Sequence, residues 1–528
     1  MMVHGKNRIG ENLSCIGSVT YATMDPSKNE ALEGAFFCAT VDEVNLAIQK
    51  AKDAFIAYRK VPAFKRASFL EAIAEEIMAL GDALVRRASA ETALSPERIE
   101  SERARTMLQL RLYAEHIKEG SWVNASIDLG DPDRKPNPKP DLRRMYLPIG
   151  PVVVFTASNF PLAYSTAGGD TASALAAGNP VVVKSHPSHA GTNEMVADAI
   201  AKAAERTGMP DGVFSSLNDN SFSVGEQLVK HPDTKAVGFT GSYNGGMALW
   251  RLANEREVPI PVFSEMGSTN PVYLLEDILH QSSAQLAKTM AASITLGAGQ
   301  FCTNPGLMVG IQSNALKSFA AVLEEEFQKV IPSVMLSAGI AGNYFSKLEM
   351  ALQQKGVTLL TQRSVRSDGT ENSGMPGVAT VPFKVFKTNP LLHEEIFGPF
   401  SLLVICENID EMKDFAALQR GQLTTSVFGS EKDFNDAGDL INKLLDKAGR
   451  LIFNGVPTGV EVTTSIQHGG PYPATTDSRF TSVGPDSVLR FVRPVAFQNA
   501  PESMLPDELK NGNPLGIWRK FNGKLGKD

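Results

Sequence analysis

The chain has 528 residues, enough for roughly two or three domains with large apolar cores. Hydrophobic residues make up 43% and charged residues 21%, both ordinary for a globular protein. The formal net charge is −7 and there is no basic stripe or tail, which argues against nucleic-acid binding. Four scattered cysteines without CxxC spacing argue against a disulfide framework or a zinc site, so we expect a reducing compartment and no metal.

The beginning of the chain predicts neither secretion nor membrane insertion. Met1–Leu13 is polar and lacks the apolar stretch of a secretory signal. An apolar run near residues 147–164 is interrupted by prolines and by Asn159, so it does not match a transmembrane helix. We therefore expect a cytoplasmic protein with no membrane partner.

Residues 41–118 carry helical patterns. The first predicted helix, Val41–Tyr58, follows Thr40, which is a suitable N-cap, and has acidic residues in its first turn. Three more helices are predicted, at Pro62–Leu80, Gly81–Thr92 and Pro96–Lys118.

Residues 119–148 have a different character. Asp131–Pro140 is rich in proline and in charges of both signs, and Arg143–Leu147 has the pattern of an edge strand. We interpret this segment as an exposed hairpin of the kind that often contacts another subunit.

From Ile149 onward, short apolar strands alternate with helices, which predicts a buried parallel sheet. Residues 270–470 repeat the alternation and predict a second α/β unit. The polar tail from Gln498 is predicted to wrap loosely or fray. The strands predicted for the first unit are Pro151–Phe155, Pro180–Lys184, Val213–Leu217, Ala236–Phe239 and Pro261–Ser264.

Three polar side chains suited to acyl-transfer chemistry lie on separate predicted loops. Cys302 stands in Gly-Ala-Gly-Gln-Phe-Cys-Thr-Asn-Pro-Gly, Glu265 in Phe-Ser-Glu-Met-Gly, and Asn159 in Ala-Ser-Asn-Phe-Pro. A thiol can attack a carbonyl carbon, an amide N–H can bind the oxyanion, and a carboxylate can take a proton from water. Taken singly, each also fits a structural role: a packed thiol, a solvated carboxylate or an amide that shapes a turn.

Five motifs in this order resemble the aldehyde dehydrogenase superfamily. They are Asn-Phe-Pro, Phe-Thr-Gly-Ser (residues 239–242), Glu-x-Gly, Gly-Gln-x-Cys, and Glu-Glu-Ile-Phe-Gly-Pro (residues 394–399). The resemblance spans roughly residues 20–495. Two longer stretches, Gln-Phe-Cys-Thr-Asn-Pro-Gly and His-Gly-Gly-Pro-Tyr-Pro-Ala-Thr (residues 468–475), are similar to bacterial 2-oxoglutarate semialdehyde dehydrogenases, also called 2,5-dioxovalerate dehydrogenases.

The resemblance implies an α/β fold with a Rossmann-type cofactor domain, an α/β catalytic domain and a β-hairpin oligomerisation element. We assign residues 1–120 and 149–266 to the cofactor domain and residues 267–470 to the catalytic domain. Residues 121–148 and 471–528 would form the oligomerisation and bridging segments and the tail. The hairpin and the apolar segment Val488–Phe497 could pair between subunits, so we expect a homodimer or homotetramer.

The implied reaction is the NAD(P)-dependent oxidation of an aldehyde to a carboxylate. Cys302 would form a thiohemiacetal and then a thioester, while Asn159 and the Cys302 backbone N–H stabilise the oxyanion. Glu265 would deprotonate the water that hydrolyses the thioester. In the family, relatives that pass the acyl group to coenzyme A do not rely on a base at this position, so Glu265 favours hydrolysis.

The cofactor assignment comes from the same resemblance, because the chain has no GxGxxG fingerprint. The family places the adenine ribose beside Lys184, which by itself could be a solvated lysine. Many NAD-preferring members carry a glutamate where this chain has Pro187, so we expect NADP, with NAD left open by Asp219 and by the absence of a nearby arginine. The expected cofactor-binding residues are Lys184, Ser185, His186, Thr240, Gly241, Ser242, Gly246, Glu395 and Phe397.

The expected aldehyde-binding residues lie between the first helical region and the Asn159 loop. An arginine at the mouth of the tunnel suits a distal carboxylate, which favours a dicarboxylic semialdehyde, although Arg105 also fits an exposed charged run. We interpret His468 as a structural or pocket-wall histidine. The expected substrate-binding residues are Arg105, Gln109, Phe160, Tyr164, Phe301 and His468.

Three other functions remain open. Within the family, the chain could be a medium- or long-chain fatty aldehyde dehydrogenase. Outside it, the chain could be a cysteine hydrolase without a redox cofactor, against which we count the lack of a histidine expected to pair with Cys302. A non-catalytic protein that keeps the fold is disfavoured by the presence of Cys302, Glu265 and Asn159.

Overall fold

The computed structural model describes residues 3–361 and 372–527. Two helices, Val41–Tyr58 and Gly81–Thr92, have the bounds that the sequence predicts. The Thr40 hydroxyl caps the first by accepting from the Glu43 backbone N–H, and the Glu43 carboxylate accepts from the Thr40 N–H in return. The other α-helices of the described residues are Ala63–Ala79, Pro96–Glu119, Gly169–Ala177, Ala190–Thr207, Ser223–Lys230, Tyr243–Asn254, Glu276–Thr295, Asn314–Lys329, Ala338–Leu352, Phe383–Phe386, Ile409–Leu418, Glu431–Asp436 and Gly438–Leu445.

None of the helices in the described part of the chain is both long enough and apolar enough to span a bilayer.

The first large sheet carries the strands of the predicted cofactor unit. These strands are parallel, and their apolar side chains are buried beneath helices. The chain moves outward from Val152–Phe155 to Phe214–Leu217 and then returns on the other side as Ala236–Thr240, so a crevice opens at the carboxyl ends of the central strands. Among the described residues the strand order is Val262–Glu265, Ala236–Thr240, Val152–Phe155, Val181–Lys184, Phe214–Leu217, Asn7–Ile9 and Asn12–Ser14.

The second large sheet belongs to the predicted catalytic unit. It is parallel except for Thr358–Leu359, which pairs antiparallel with its neighbour. Helices Glu276–Thr295 and Asn314–Lys329 share one apolar cluster with its strands. The order within the described ranges is Thr358–Leu359, Gly377–Pro382, Phe400–Cys406, Leu307–Ile311, Val272–Leu274, Gln422–Phe428 and Ala448–Phe453.

A third sheet contains the predicted hairpin and corrects two expectations. Ser126–Asp128 pairs antiparallel with Leu142–Pro148, as a hairpin requires. Leu142–Pro148 also pairs along its other side with Val492–Gln498, so the prediction of an edge strand at Arg143–Leu147 is wrong. We also expected the apolar segment Val488–Phe497 to pair with the hairpin of another subunit, but it pairs with the hairpin of its own chain. Its backbone N–H and C=O groups thereby satisfy the outer edge of Leu142–Pro148.

The C-terminal tail is ordered, so the prediction that it frays is also wrong. Arg519–Phe521 and Lys524–Gly526 extend the third sheet beside Ser126–Asp128. Leu509 is fully buried, and Arg519 is buried while donating to the Lys510 carbonyl oxygen at 2.6 Å. A few apolar anchors and one satisfied arginine hold a segment whose composition is mostly polar.

One return of the chain joins the two large units. A residue pair links Glu265, at the end of the first sheet, to Thr475, and the Met266 N–H donates to the Ala474 carbonyl oxygen at 2.8 Å. The Ser482 N–H donates to the His468 carbonyl oxygen at 2.8 Å. The bridge to Thr475 and the hydrogen bond from Met266 hold the loop of residues 468–482 against the Glu265 segment. The domain boundaries themselves stay a prediction.

Candidate active site

The turn that carries Cys302 has an unusual backbone. Helix Glu276–Thr295 ends in a short 3₁₀ segment in which Gly297, Ala298 and Gly299 all have positive φ angles, of 55°, 55° and 65°. A Cβ added at Gly299 would lie 2.2 Å from the Gly398 carbonyl oxygen. The close approach therefore needs glycine, and it fixes the thiol turn against the Glu-Glu-Ile-Phe-Gly-Pro motif.

An asparagine that the sequence did not indicate braces the same turn. Asn270 Nδ2 donates to the carbonyl oxygens of Cys302 and Asn304, both at 2.9 Å. Gln422 Oε1 in turn accepts from the Asn270 N–H at 3.1 Å and from the Thr269 N–H at 2.9 Å. The thiol turn is thus held by a buried polar network within the predicted catalytic unit. Asn-Pro following Glu-x-Gly was visible in the sequence, but nothing in it indicated this partner.

Cys302, His468 and Glu265 form a line of contacts. Cys302 Sγ lies 3.8 Å from His468 Nε2, and His468 Nδ1 lies 3.1 Å from Glu265 Oε2. The Ser482 hydroxyl donates to the same Glu265 oxygen, whereas Glu265 Oε1 is buried and has no hydrogen-bond partner in the described part of the chain. The expectation that no histidine pairs with Cys302 is therefore wrong, because residues 468–482 fold back over the thiol from far along the sequence.

The electrostatics of this group keep the carboxylate charged and the thiol neutral. Burial by itself raises the pKa of Glu265, but the charge of the His468 ring and hydrogen bonds from His468 and Ser482 bring that pKa below its ordinary value. Burial and the adjacent Glu265 charge raise the pKa of the Cys302 thiol well above its ordinary value, with Arg105 acting in the opposite direction. The resting site therefore holds a thiol that needs a base before it can attack.

Asn159 lies at the same place. Its Nδ2 donates to the Gln300 carbonyl oxygen at 3.0 Å, two residues before Cys302 in the chain. That bond uses one of the two amide hydrogens, so the other can meet an oxyanion formed beside Cys302. The oxyanion role of Asn159 stays a prediction.

A cavity of about 510 Å³ opens onto Cys302 and His468. Arg105, Phe160, Tyr164 and Phe301, which are among the predicted substrate-binding residues, line this cavity; that they bind an aldehyde stays a prediction. Gln109 does not line it. Gln109 is 4% exposed and lies against Gly169, where an added Cβ would be 2.6 Å from Gln109 Nε2. The prediction that Gln109 contacts the substrate is therefore not supported by its position, because its side chain does not line the cavity.

Two arginines face the cavity in different electrostatic states. Arg98, which the sequence analysis did not single out, pairs with the buried carboxylate of Glu102 at 3.3 Å and lies over the Phe160 ring. Arg105 donates to the Tyr164 hydroxyl at 3.3 Å, and within residues 3–361 and 372–527 no carboxylate lies within 4.0 Å of its guanidinium. Its Nε is buried without a partner. Arg105 is therefore the cavity cation free to bind an added carboxylate.

Lys184 lies at the carboxyl end of its strand, where a dinucleotide would bind. Its Nζ donates to the Asp219 carbonyl oxygen at 2.6 Å, and burial lowers its pKa to about 8. Ser185 is buried and its hydroxyl accepts from Asn193 Nδ2 at 2.8 Å, so this side chain is used inside the protein. His186 accepts from the Ser188 N–H and stacks on another histidine.

The Thr240–Ser242 turn opens a helix at the neighbouring strand end. The Ser242 hydroxyl caps Tyr243–Asn254 by accepting from the Gly245 N–H at 3.2 Å, while Gly241 and Ser242 are exposed. Exposed N–H groups at a helix start fit a diphosphate. Gly246 is buried instead, since a Cβ there would lie 2.7 Å from Met266 Sδ, so it serves close packing of the helix.

Glu395 and Phe397 lie on the other side of the crevice, in the motif that contacts the thiol turn. A Cβ added at Gly267 would lie 2.1 Å from Glu395 Oε2, which places this carboxylate beside the Glu265 segment. Burial raises the pKa of Glu395 to about 7. Phe397 is partly exposed. A lysine, an open helix start and a carboxylate around one crevice fit the phosphates and ribose hydroxyls of a dinucleotide, whose part would be to accept a hydride.

Comparison with known proteins identifies the family. The model of the Aldehyde dehydrogenase family matches residues 17–478. The chain belongs to the aldehyde dehydrogenase family. It is 45% identical over 525 residues to alpha-ketoglutaric semialdehyde dehydrogenase 2 of Azospirillum brasilense, covering 99% of this chain and 100% of that one. It is 42% identical to the alpha-ketoglutaric semialdehyde dehydrogenase of Acinetobacter baylyi, covering 98% and 97% of the two chains.

Solved aldehyde dehydrogenases share the fold. Betaine aldehyde dehydrogenase of Staphylococcus aureus, solved with NAD⁺, has a TM-score of 0.80 at 20% identity, with 95% and 98% of the two chains covered. A Thermus 1-pyrroline-5-carboxylate dehydrogenase with bound NAD has a TM-score of 0.79 at 21% identity, covering 94% and 92%. The predicted family and α/β fold class are thus confirmed.

Proposed function

We propose that this aldehyde dehydrogenase oxidises 2-oxoglutarate semialdehyde to 2-oxoglutarate and prefers NADP. Arg105 is the observation that supports this substrate: it is a cation in the cavity that ends at Cys302, and among the described residues no carboxylate pairs with it. A guanidinium can bind the distal carboxylate bidentately while the aldehyde carbon reaches the sulfur. The two relatives at 45% and 42% identity are named for the same substrate, which their names call alpha-ketoglutaric semialdehyde.

Glu265 supports release of a free acid. Its Oε1 is buried and accepts no hydrogen bond from the residues that the structure describes, so this oxygen can take a proton from a water molecule. The surrounding hydrogen bonds hold the carboxyl pKa low, which keeps it in the basic form at neutral pH. Hydrolysis of the thioester, with the acyl group passing to water, is the outcome that this base supports.

The NADP preference rests on the adenosine side of the crevice. Lys184 Nζ is at the strand end, and Pro187 stands where an acidic residue would repel a 2′-phosphate. The Asp219 carboxylate accepts from the Ser221 hydroxyl at 2.9 Å and from the Val224 N–H at 3.1 Å, so both of its oxygens are engaged within the protein. A phosphate can therefore approach Lys184 without meeting a free carboxylate.

Steady-state rates test the proposal. The purified protein is given NADP or NAD with a panel of 2-oxoglutarate semialdehyde, succinic semialdehyde, butanal and decanal, with Cys302→Ala as the control. We expect the highest kcat/KM for 2-oxoglutarate semialdehyde with NADP and no turnover by the variant. Higher kcat/KM for decanal would instead support a fatty aldehyde dehydrogenase.

The pairing of Cys302 with His468 also bears on the cysteine-hydrolase alternative. A thiol next to an imidazole and a carboxylate is an arrangement that hydrolases use. Leaving the dinucleotide out of the assay separates the two functions: an aldehyde dehydrogenase forms no acid from aldehyde without an oxidant. Amide hydrolysis without dinucleotide that exceeds aldehyde oxidation would favour the hydrolase.

A further inference from the structure

The loop of residues 468–482 places an imidazole directly against the reacting sulfur. His468 Nε2 is 3.8 Å from Cys302 Sγ, and His468 is 3% exposed. A side chain that only lines the cavity would need the right size at this position, but no titratable group. An imidazole held at both nitrogens by the two other polar groups of the site has a chemical role available to it.

The contacts of His468 fix its tautomer. Nδ1 faces the Glu265 carboxylate at 3.1 Å, and a carboxylate can only accept, so Nδ1 carries the hydrogen. Nε2 is then left with its lone pair toward the Cys302 thiol. The backbone is fixed as well, because the His468 N–H donates to Thr481 Oγ1 at 2.9 Å and its carbonyl oxygen accepts from the Ser482 N–H at 2.8 Å. The ring is thus oriented as a proton acceptor for sulfur.

We propose that His468 is a catalytic residue that carries the Cys302 proton through the reaction. When the sulfur attacks the aldehyde carbon, the C–S bond forms, the carbonyl π pair moves to oxygen, and the thiol proton passes to His468 Nε2. The imidazolium then lies beside the Glu265 carboxylate, which stabilises it.

The thiohemiacetal carbon loses a hydride to the dinucleotide that the family uses as oxidant, which leaves the thioester. The proton returns to sulfur in the second half of the reaction. Water attacks the thioester, Glu265 Oε1 takes the proton from the water, and the C–S bond breaks. The leaving sulfur takes the proton back from His468 Nε2, and the proton on Glu265 goes to solvent with the acid product. The two carboxylate oxygens thus divide the work: Oε2 orients the imidazole and Oε1 activates water.

This role explains how a thiol in such surroundings reacts. Burial and the Glu265 charge hold the pKa of Cys302 well above its ordinary value, so a free thiolate is scarce near neutral pH. With His468 as an adjacent base, no free thiolate is needed, because the thiol proton leaves as the C–S bond forms. The titratable and charged groups facing the pair are Glu265, Tyr164, Arg105, Glu395 and Arg450.

Alkylation of Cys302 by iodoacetamide tests the proposal without any substrate. Cys15 is exposed and serves as an internal reference thiol, so peptide mass spectrometry gives the ratio of the two alkylation rates in each sample. In His468→Gln we expect that ratio at pH 7 to fall at least about tenfold, and the pH of half-maximal Cys302 alkylation to rise. The matched control is His280→Gln, the same change at an exposed helix position.

A second variant separates base chemistry from packing. His468→Asn keeps a donor near the Nδ1 position toward Glu265 but has no base toward sulfur. We expect kcat/KM of both variants to fall about 10²- to 10⁴-fold, mainly through kcat. Their melting temperatures and dinucleotide affinities should equal those of the His280→Gln control. An unchanged alkylation ratio and pH profile in a folded variant would overturn the proposal. A rise in KM with no change in kcat would also overturn it, because that result is expected of a residue that only lines the cavity.

Discussion

Replacement of Arg105 by alanine tests how the cavity recognises its substrate. The guanidinium contacts the Tyr164 hydroxyl at 3.3 Å, and no carboxylate of the described residues pairs with it. A substrate carboxylate would supply the missing partner. Because the same arginine lies in the cavity wall and not at the sulfur, its contact is made equally in the ground state and the transition state. The loss should therefore appear in KM.

The size of the effect follows from the kind of contact. Hydrogen bonds to charged groups contribute about 1.5–3 kcal/mol, and Arg105 is partly exposed, which favours the lower part of that range. A loss of about 2 kcal/mol corresponds to roughly a 30-fold higher KM for 2-oxoglutarate semialdehyde. For butanal, which has no distal carboxylate, we expect a change of less than about threefold.

The assay compares three proteins on two aldehydes at saturating dinucleotide. Arg111→Ala is the matched control, because Arg111 is exposed on the same helix, Pro96–Glu119, and is not among the cavity residues. Equal losses on both aldehydes would refute the anchoring role, since they would show that Arg105 supports the site and not the substrate. An effect on kcat alone would refute it too.

Three further predictions concern carboxylates and the cofactor lysine. Glu265→Gln should slow steady-state turnover about a hundredfold or more, because an amide cannot deprotonate water; a burst of reduced dinucleotide should remain in stopped-flow traces but rise more slowly, because the His468 imidazolium loses its carboxylate partner. Binding of NADP, followed by fluorescence titration, should weaken as the pH rises through about 8, because the buried Lys184 then loses its positive charge; Lys184→Met should bind more weakly and without this pH dependence. Glu395 has a folded pKa of about 7, above that of the unfolded chain, so its ionisation opposes folding as pH rises from about 5 to 8. Glu395→Gln should therefore gain about 1–3 kcal/mol over the wild type at pH 8 in urea unfolding, and little at pH 5.

Each of these has an outcome that contradicts it. For Glu265, loss of the burst with turnover still measurable would mean that thioester hydrolysis is not the step that the substitution slows most. For Lys184, a pH dependence that persists in the methionine variant would assign it to another group. For Glu395, a stability difference that is the same at pH 5 and pH 8 would show that packing, and not charge, decides the effect.

Local patterns in the sequence determined much of this protein. Val41–Tyr58 has its predicted bounds because the cap at Thr40 and the apolar repeat act within a few residues. The strands Leu307–Ile311 and Phe400–Cys406 also have the bounds given by their apolar runs, since buried parallel strands need apolar side chains on both faces. Five short motifs in a fixed order were sufficient to identify the family.

Only the tertiary structure decided which distant segments meet. His468 pairs with Cys302 across 166 positions of the chain, and Asn270 reaches the carbonyl of the same cysteine from a third segment. The polar tail is ordered because Leu509 and Arg519 reach partners in the third sheet, which composition does not show. Periodicity and capping record interactions over a few residues, whereas hydrogen bonds between loops depend on how complete sheets pack, and that information lies in no single stretch of sequence.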